Sequence, residues 1–347
     1  MMTSKLASTF LGLSALSLMA GTALAQDRTL TINSFGGAYE EAHRKCIITP
    51  FEQENGATVQ IVTAYSADAF AQLRAQKDAP QFDVIHFSGG QEIVGAAEGL
   101  LSPIDEAKLS NAADLYPFAK ANLAGGEGPA YSIAAIGLIY NSETAPKAPS
   151  SWADLKDPAF ADHLVLTDIS NGYGMLGFLM LNQVSGGDLD NIQPGLDAVT
   201  ELLGNGAIVV STSPEIQQEF AQNDAWVAPY ASDYAFTLRK AGLPAKFVQG
   251  SEGTPASYIT TNLVSGRPNQ DLALKFIDKT ISPEAQACFA EALRYSPTNA
   301  KAELSAEVAA DVAYGEDGVK GLLRFDPKVI EANRAKWVEA WNKTIAR

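Results

Sequence analysis

Short apolar runs alternate along this chain with stretches whose apolar positions fall three or four residues apart. TLTINSF (29–35) precedes YEEAHRKCIITPFEQE (39–54), ATVQIVTA (57–64) precedes ADAFAQLRAQ (67–76), and FDVIHFS (82–88) precedes QEIVGAAEGL (91–100). The first member of each pair carries strand periodicity and the second helix periodicity, so the order predicts an α/β fold with a largely parallel sheet. A second series begins after PAYSIAAIGLIYN: HLVLTD leads into YGMLGFLMLNQVSG, AIVVS into PEIQQEFAQ, and AWVAPY into DYAFTLRKAG. Between the two series KAPSSWADLKDPAF, rich in proline and small polar residues, reads as a surface connection. PASYITTNLVSG predicts one more strand, QDLALKFIDKTIS and PEAQACFAEAL predict helices, and the last helix, VIEANRAKWVEAWNKTIAR, has Ile330, Ala335, Trp337, Ala340 and Trp341 on one apolar face.

Residues 1–25 contain a single charge, Lys5, then FLGLSALSLMAG and Ala23-Leu24-Ala25. This is the pattern of a secretory signal peptide cut after Ala25. The apolar stretch is too short for a transmembrane anchor. Gln26 rather than cysteine follows the cut, which argues against a lipid anchor, so the expectation is an exported, periplasmic chain. Without the leader, the rest of the 347 residues allows two lobes at about 150 residues per domain. The net charge of −15 repels phosphate backbones, which makes nucleic acid a poor partner. Cys46 and Cys288 either form one bridge, as an oxidising compartment permits, or remain two buried thiols. His43, His86 and His163 have no metal-ligand spacing, so neither a metal nor a cofactor is expected.

Signatures of catalysis are weak. Gly172, Gly174 and Gly177 spell G-x-G-x-x-G, but three residues separate HLVLTD from the first glycine, and AIVVS ends in Ser211 where a dinucleotide site needs an acid. G-x-S-x-G and GKS/T are absent. Instead, aromatic and small polar residues gather where strands give way to helices. Phe35, Gly36, Gly37 and Tyr39 follow the first strand, and Ser88, Gly89 and Gly90 the third. Ser170, Asn171 and Tyr173 follow HLVLTD, Ser211 to Ser213 follow AIVV, and Tyr230, Asp233 and Tyr234 follow WVAP. Ligands of open α/β sheets bind outside the carboxyl ends of the strands, where these junctions converge if two lobes face each other. Tyrosine faces attract cations, free amides at helix starts hold anions, and a buried aspartate anchors an ammonium.

SFGGAYEEA, FDVIHFSGG, AAIGLIYNSE, SSWADLKDPAFADHLVLTD, AGLPAKFVQGSEGTPAS and ISPEAQACFAEALRYSPTN, in that order, resemble the periplasmic solute-binding proteins of ABC importers, in the spermidine/putrescine-binding group. The resemblance covers nearly the whole mature chain. It implies the two-lobed, type II periplasmic-binding-protein fold, which closes on a solute by hinge motion. Lobe one would comprise 26–133 plus 257–303 and lobe two 134–256 plus 304–347, which puts Cys46 and Cys288 on helices of one lobe and favours their pairing. It implies ligand contacts at Phe35, Gly37, Tyr39, Ser88, Gly89, Asp168, Ser170, Asn171, Tyr173, Tyr230, Asp233, Tyr234 and Tyr295. It also implies a monomeric receptor without catalysis that serves an inner-membrane ABC permease.

One departure bears on the solute. Polyamine binders of this group resemble one another in carrying a Trp and an Asp after the EG pair, where this chain reads TPASYITTNL. A diamine or triamine needs two anionic anchors, since an unpaired buried ammonium costs several kcal/mol. Asp168, Asp233 and Glu252 are the candidates. The favoured solute is a polyamine, putrescine or spermidine. The alternative is an amino acid such as a γ-amino acid or another small polar solute, and further classes are an exported hydrolase or a partner-binding sensor.

Overall fold

A computed structural model describes residues 28–346. The leader and its expected cut after Ala25 lie outside them. The chain opens with β1 (Thr29–Ser34), which pairs in parallel with β2 (Thr58–Thr63) over its whole length, Thr29 opposite Thr58 and Ser34 opposite Thr63. β3 (Val84–Ser88) lies parallel on the other side of β1. The helix expected over 39–54 is one rod of three pieces: α1 (Gly37–His43), a wider π-helical segment Arg44–Ile48, and α2 (Thr49–Asn55), which ends on left-handed Gly56. α3 (Ser66–Ala75) and α4 (Gln91–Ala97) follow β2 and β3.

β4 (Ala130–Asn141) is buried at all 12 positions. After it come β5 (Val165–Thr167), α5 (Gly172–Val184), α6 (Gln193–Gly204), β6 (Ile208–Val210), α7 (Ser213–Gln222), β7 (Val227–Ala231), α8 (Ser232–Lys240) and β8 (Ala245–Val248). β9 (Thr254–Leu263) is buried at all 10 positions, and α9 (Gln270–Thr280), α10 (Pro283–Leu293) and β10 (Ser296–Pro297) follow. The tail holds α11 (Ala306–Asp311), α12 (Gly315–Lys320), β11 (Leu322–Leu323) and α13 (Pro327–Ile345).

The main path of the sheet runs β10-β4-β9-β3-β1-β2. It is mixed rather than largely parallel, because β4 and β9 are antiparallel to each other and β9 is antiparallel to β3. Both long strands change partners along their length. β4 pairs with β9 as far as Ala135 and with β7 from Ile136, while β9 passes from β4 to β3. Their continuous hydrophobic sequences suit strands buried on both faces.

The apolar residues divide accordingly. One core draws on residues from Leu30 to Ile133 and from Ala256 to Phe289; a second draws on Ile136 to Ala245 and on Ile330, Trp337 and Trp341 of α13. Ala335, expected on the apolar face of that last helix, is exposed, and Arg334 takes the intervening place one turn from Ile330 and Trp337. Cys46 and Cys288 are joined by a disulfide, Cα atoms 5.6 Å apart, which ties the π segment to α10 inside the first lobe. Among the described residues no helix is long and apolar enough to cross a membrane.

Candidate functional site

A cavity of about 820 Å³ opens between the lobes. Its first wall comes from the junctions of lobe one. Phe35 follows β1, and Gly36 turns the chain with φ 76° so closely over β2 that a Cβ there would lie 3.0 Å from Thr63 Cγ2. Tyr39 on α1 follows, then Tyr65 and Ser66 after β2, Ser88 to Glu92 after β3, Ser257 and Tyr258 on β9, and Tyr295 before β10. The opposing wall carries Ser170 to Tyr173, Tyr230, and the segment from Arg324 through Phe325 to Arg334. The walls touch at Gly90, where a Cβ would stand 2.3 Å from Pro327 Cβ.

Rings dominate the surface. Phe35 lies 4.7 Å from Tyr39 and stacks on the exposed Tyr65 at 6.1 Å, and Tyr39 stands 6.2 Å from Tyr295. Across the cleft Tyr173 meets Tyr230 edge-on at 5.5 Å. Two hydroxyls are anchored: Tyr39 shares a hydrogen bond with Tyr131, and Tyr230 shares one of 2.7 Å with Ser213 Oγ. Burial first, then neighbouring charge, raises the pKa of Tyr39, Tyr173 and Tyr295, so these rings present neutral hydroxyls at pH 7.

Of the residues expected to contact ligand, Phe35, Tyr39, Ser88, Gly89, Ser170, Asn171, Tyr173, Tyr230 and Tyr295 lie on this wall. The others do not. Gly37 is the first residue of α1, at φ 52°, and is not among the residues that line the cavity. Asp168 is committed elsewhere: Oδ1 accepts from Ser170 N at 2.8 Å, and Oδ2 accepts from the Trp341 indole. Tyr234 donates to the Ser213 carbonyl behind the wall. Glu252, weighed as an anionic anchor, instead accepts from Ser151 and from Trp152 N. The helix start after AIVV is also engaged, because Glu215 accepts from both Ser211 N and Thr212 N. Asn171 has a second task, capping α5 through Oδ1 to Tyr173 N at 2.9 Å.

Asp233 sits just behind the rings, at the start of α8. Its Oδ1 is buried and has no hydrogen-bond partner among the described residues. Burial pushes this carboxyl up to about 7, against the opposing effect of the Tyr295 hydroxyl. A carboxylate in that position, close enough to Tyr173 and Tyr295 to raise their pKa, can stabilise a cation lying against the ring faces.

Two arginines at the positive end of the cavity were not among the residues expected from the sequence. Arg324 follows β11, its guanidinium 4.8 Å over the Tyr258 ring, and donates to Glu92 Oε1 at 3.2 Å. Arg334 lines the cavity nearby and pairs with Glu331 on its own helix at 3.1 Å. Only Arg334 left a readable trace: a basic residue interrupting an apolar helical stripe. Among the described residues no cluster of His, Cys, Asp and Glu could hold a metal.

Residues 47–316 match the family of bacterial extracellular solute-binding proteins. The chain is 27% identical over 290 residues to the gamma-aminobutyric acid-binding protein of Pseudomonas aeruginosa, covering 81% of this chain and 80% of that one. It is 28% identical over 276 residues to the spermidine/putrescine-binding periplasmic protein of Escherichia coli, covering 76% and 78%. Among solved structures, an ABC transporter from Clostridium perfringens superposes with a TM-score of 0.78 at 25% identity, over 91% of this chain and 99% of that one.

Proposed function

This chain belongs to the bacterial extracellular solute-binding protein family, and we propose that it is the periplasmic receptor of an ABC importer for an ω-amino acid of the γ-aminobutyrate type. The observation that carries this reading is the presence of opposite charges around one cavity: Arg324 on its wall and Asp233 behind its tyrosines. An ammonium would rest among Tyr39, Tyr173, Tyr230 and Tyr295 with Asp233 behind them, and a carboxylate would meet the open side of Arg324. Phe35, Ser88, Gly89, Ser170 and Asn171 complete the contact set. The names of the relatives divide between this class and polyamines, and Arg324 favours the former because an ammonium beside a guanidinium is repelled.

The diamine reading has one observation in its favour. Glu92 on one wall and Asp233 behind the tyrosines each keep a buried carboxylate oxygen without a hydrogen-bond partner among the described residues. Glu92, however, is already neutralised by Arg324.

On the same reading the leader is removed after Ala25, the receptor acts as a monomer, and the lobes comprise 26–133 plus 257–303 and 134–256 plus 304–347. It hands its solute to an inner-membrane permease without altering it. Titration calorimetry with thermal shift against γ-aminobutyrate, putrescine, spermidine and α-amino acids tests the proposal, since a ligand bound only by the folded state stabilises it. Saturable binding of γ-aminobutyrate with chemically unchanged recovery is expected. Binding of diamines alone would overturn it.

A further inference from the structure

Arg324 and Glu92 are an unusual pair for a binding cavity. They come from opposing walls: Glu92 from α4 of lobe one, Arg324 from the segment between β11 and α13. Glu92 is 1% exposed, whereas Arg324 is 34% exposed and faces the cavity. Their contact is a single one, from Nη2 to Oε1, and Glu92 Oε2 has no hydrogen-bond partner among the described residues. Buried pairs that persist usually satisfy both carboxylate oxygens or form a two-bond fork. The Arg324 guanidinium also lies 4.8 Å from the centre of the Tyr258 ring, a contact that does not involve Glu92.

We infer that Glu92 is an internal stand-in for the solute's carboxylate: it occupies Arg324 in the empty cleft and competes with the incoming ligand for it. This rests on the ω-amino acid reading above. Displacement need not leave a buried charge unpaired. Burial raises the Glu92 carboxyl to about 7, with Arg324 opposing the rise and Glu127 adding to it, so a released Glu92 can take up a proton. Those two are the charged groups that face it. The exchange of one carboxylate for another at a fixed guanidinium also favours a ligand that offers both oxygens, which Glu92 does not.

The test is calorimetry on wild type and Glu92→Gln with γ-aminobutyrate and with butylamine, which keeps the ammonium and lacks the carboxylate. Removing the competitor is expected to tighten γ-aminobutyrate binding about tenfold, the equivalent of one charge-assisted hydrogen bond, and to leave butylamine unchanged. Circular dichroism and thermal melting of Glu92→Gln establish that it folds, with Glu92→Met, which matches the buried stem and has no charge, as the second variant. Equal or weaker γ-aminobutyrate binding by the folded variants overturns the inference and leaves the proposed function standing. Absence of γ-aminobutyrate binding by the wild type overturns both.

Discussion

Trp341, buried in the second core, donates its indole N–H to Oδ2 of Asp168 at 3.0 Å. The bond fastens α13 to the loop that delivers Ser170, Asn171 and Tyr173 to the cleft. Asp168 therefore supports a wall of the site from behind. Asp168→Ala should lower stability by about 1–3 kcal/mol, because the indole N–H is left buried without an acceptor. Urea unfolding measures the loss. If Asp168 instead contacts solute, affinity falls and stability stays the same.

Asp233 should give ligand affinity a pH dependence. Its carboxyl lies at about 7 in the empty cleft and must ionise to hold an ammonium. At pH 8 Asp233→Asn should weaken γ-aminobutyrate binding by about 1.5–3 kcal/mol, the size of a hydrogen bond to a charged group. Below pH 7 the wild-type carboxyl is protonated, so the ratio of the two affinities should shrink toward one by pH 5.5. Stability moves the opposite way. The raised pKa makes Asp233 stabilising at low pH, a contribution lost as pH rises toward and through 7, so Asp233→Asn should gain on wild type in alkaline urea titrations.

Arg324→Gln retains a donor for Glu92 and removes the cation. Affinity for γ-aminobutyrate should fall roughly ten- to a hundred-fold while butylamine is unaffected or improved. Uniform loss for both ligands would mean that the variant has disturbed the cleft itself.

Acid should loosen lobe one. His43 and His86 lie ring to ring at 4.8 Å, and three of their nitrogens are buried without partners among the described residues. Burial, then Arg44, depresses His43 to about 3, and burial, then His43, depresses His86 well below the ordinary value. The unfolded chain binds these protons near pH 6.5 and the folded one does not. Stability from each group is therefore complete above 6.5 and falls by about 1.4 kcal/mol per pH unit below it. Urea midpoints between pH 7 and 5 should fall less in His86→Leu than in wild type.

Much of this molecule is legible in the sequence because periodicity reports burial. Strands β1, β3 and β9 and helices α5, α9 and α10 all stand where the apolar pattern put them. Direction was not legible. A continuous apolar run such as AAIGLIY looks the same in a parallel or an antiparallel strand, so the mixed sheet emerged only in three dimensions. Phe35, Tyr39, Ser88, Ser170, Asn171, Tyr173 and Tyr230, named at strand-to-helix junctions, line the cavity. Asp168 and Tyr234 share those junctions, but position next to a strand end does not say which way a side chain turns; Gly37, with no side chain, is outside the lining. Arg324 and Glu92 were missed for a different reason: each is an ordinary charged residue in its own segment, and only the fold brings them together across 232 residues.

Reduction of the Cys46–Cys288 bridge should lower the melting temperature and cost about 2–4 kcal/mol of stability. A protein in which both cysteines are serine should reproduce the reduced form and show no further response to reductant.

That bridge also sets an order of events in the life of the chain. Its two cysteines are separated by 242 positions, and the whole second core lies between them apart from α13. A polypeptide made from its N-terminus presents Cys46 early and Cys288 only after nearly all of the other residues have emerged. Throughout that interval Cys46 is a lone thiol, and the bond that closes lobe one is among the last structures to form. The Ile136–Ala245 part of the second core is contiguous in sequence, but its packing against Ile330, Trp337 and Trp341 waits for α13, which follows Cys288, and a premature partner for Cys46 would keep the bridge from closing.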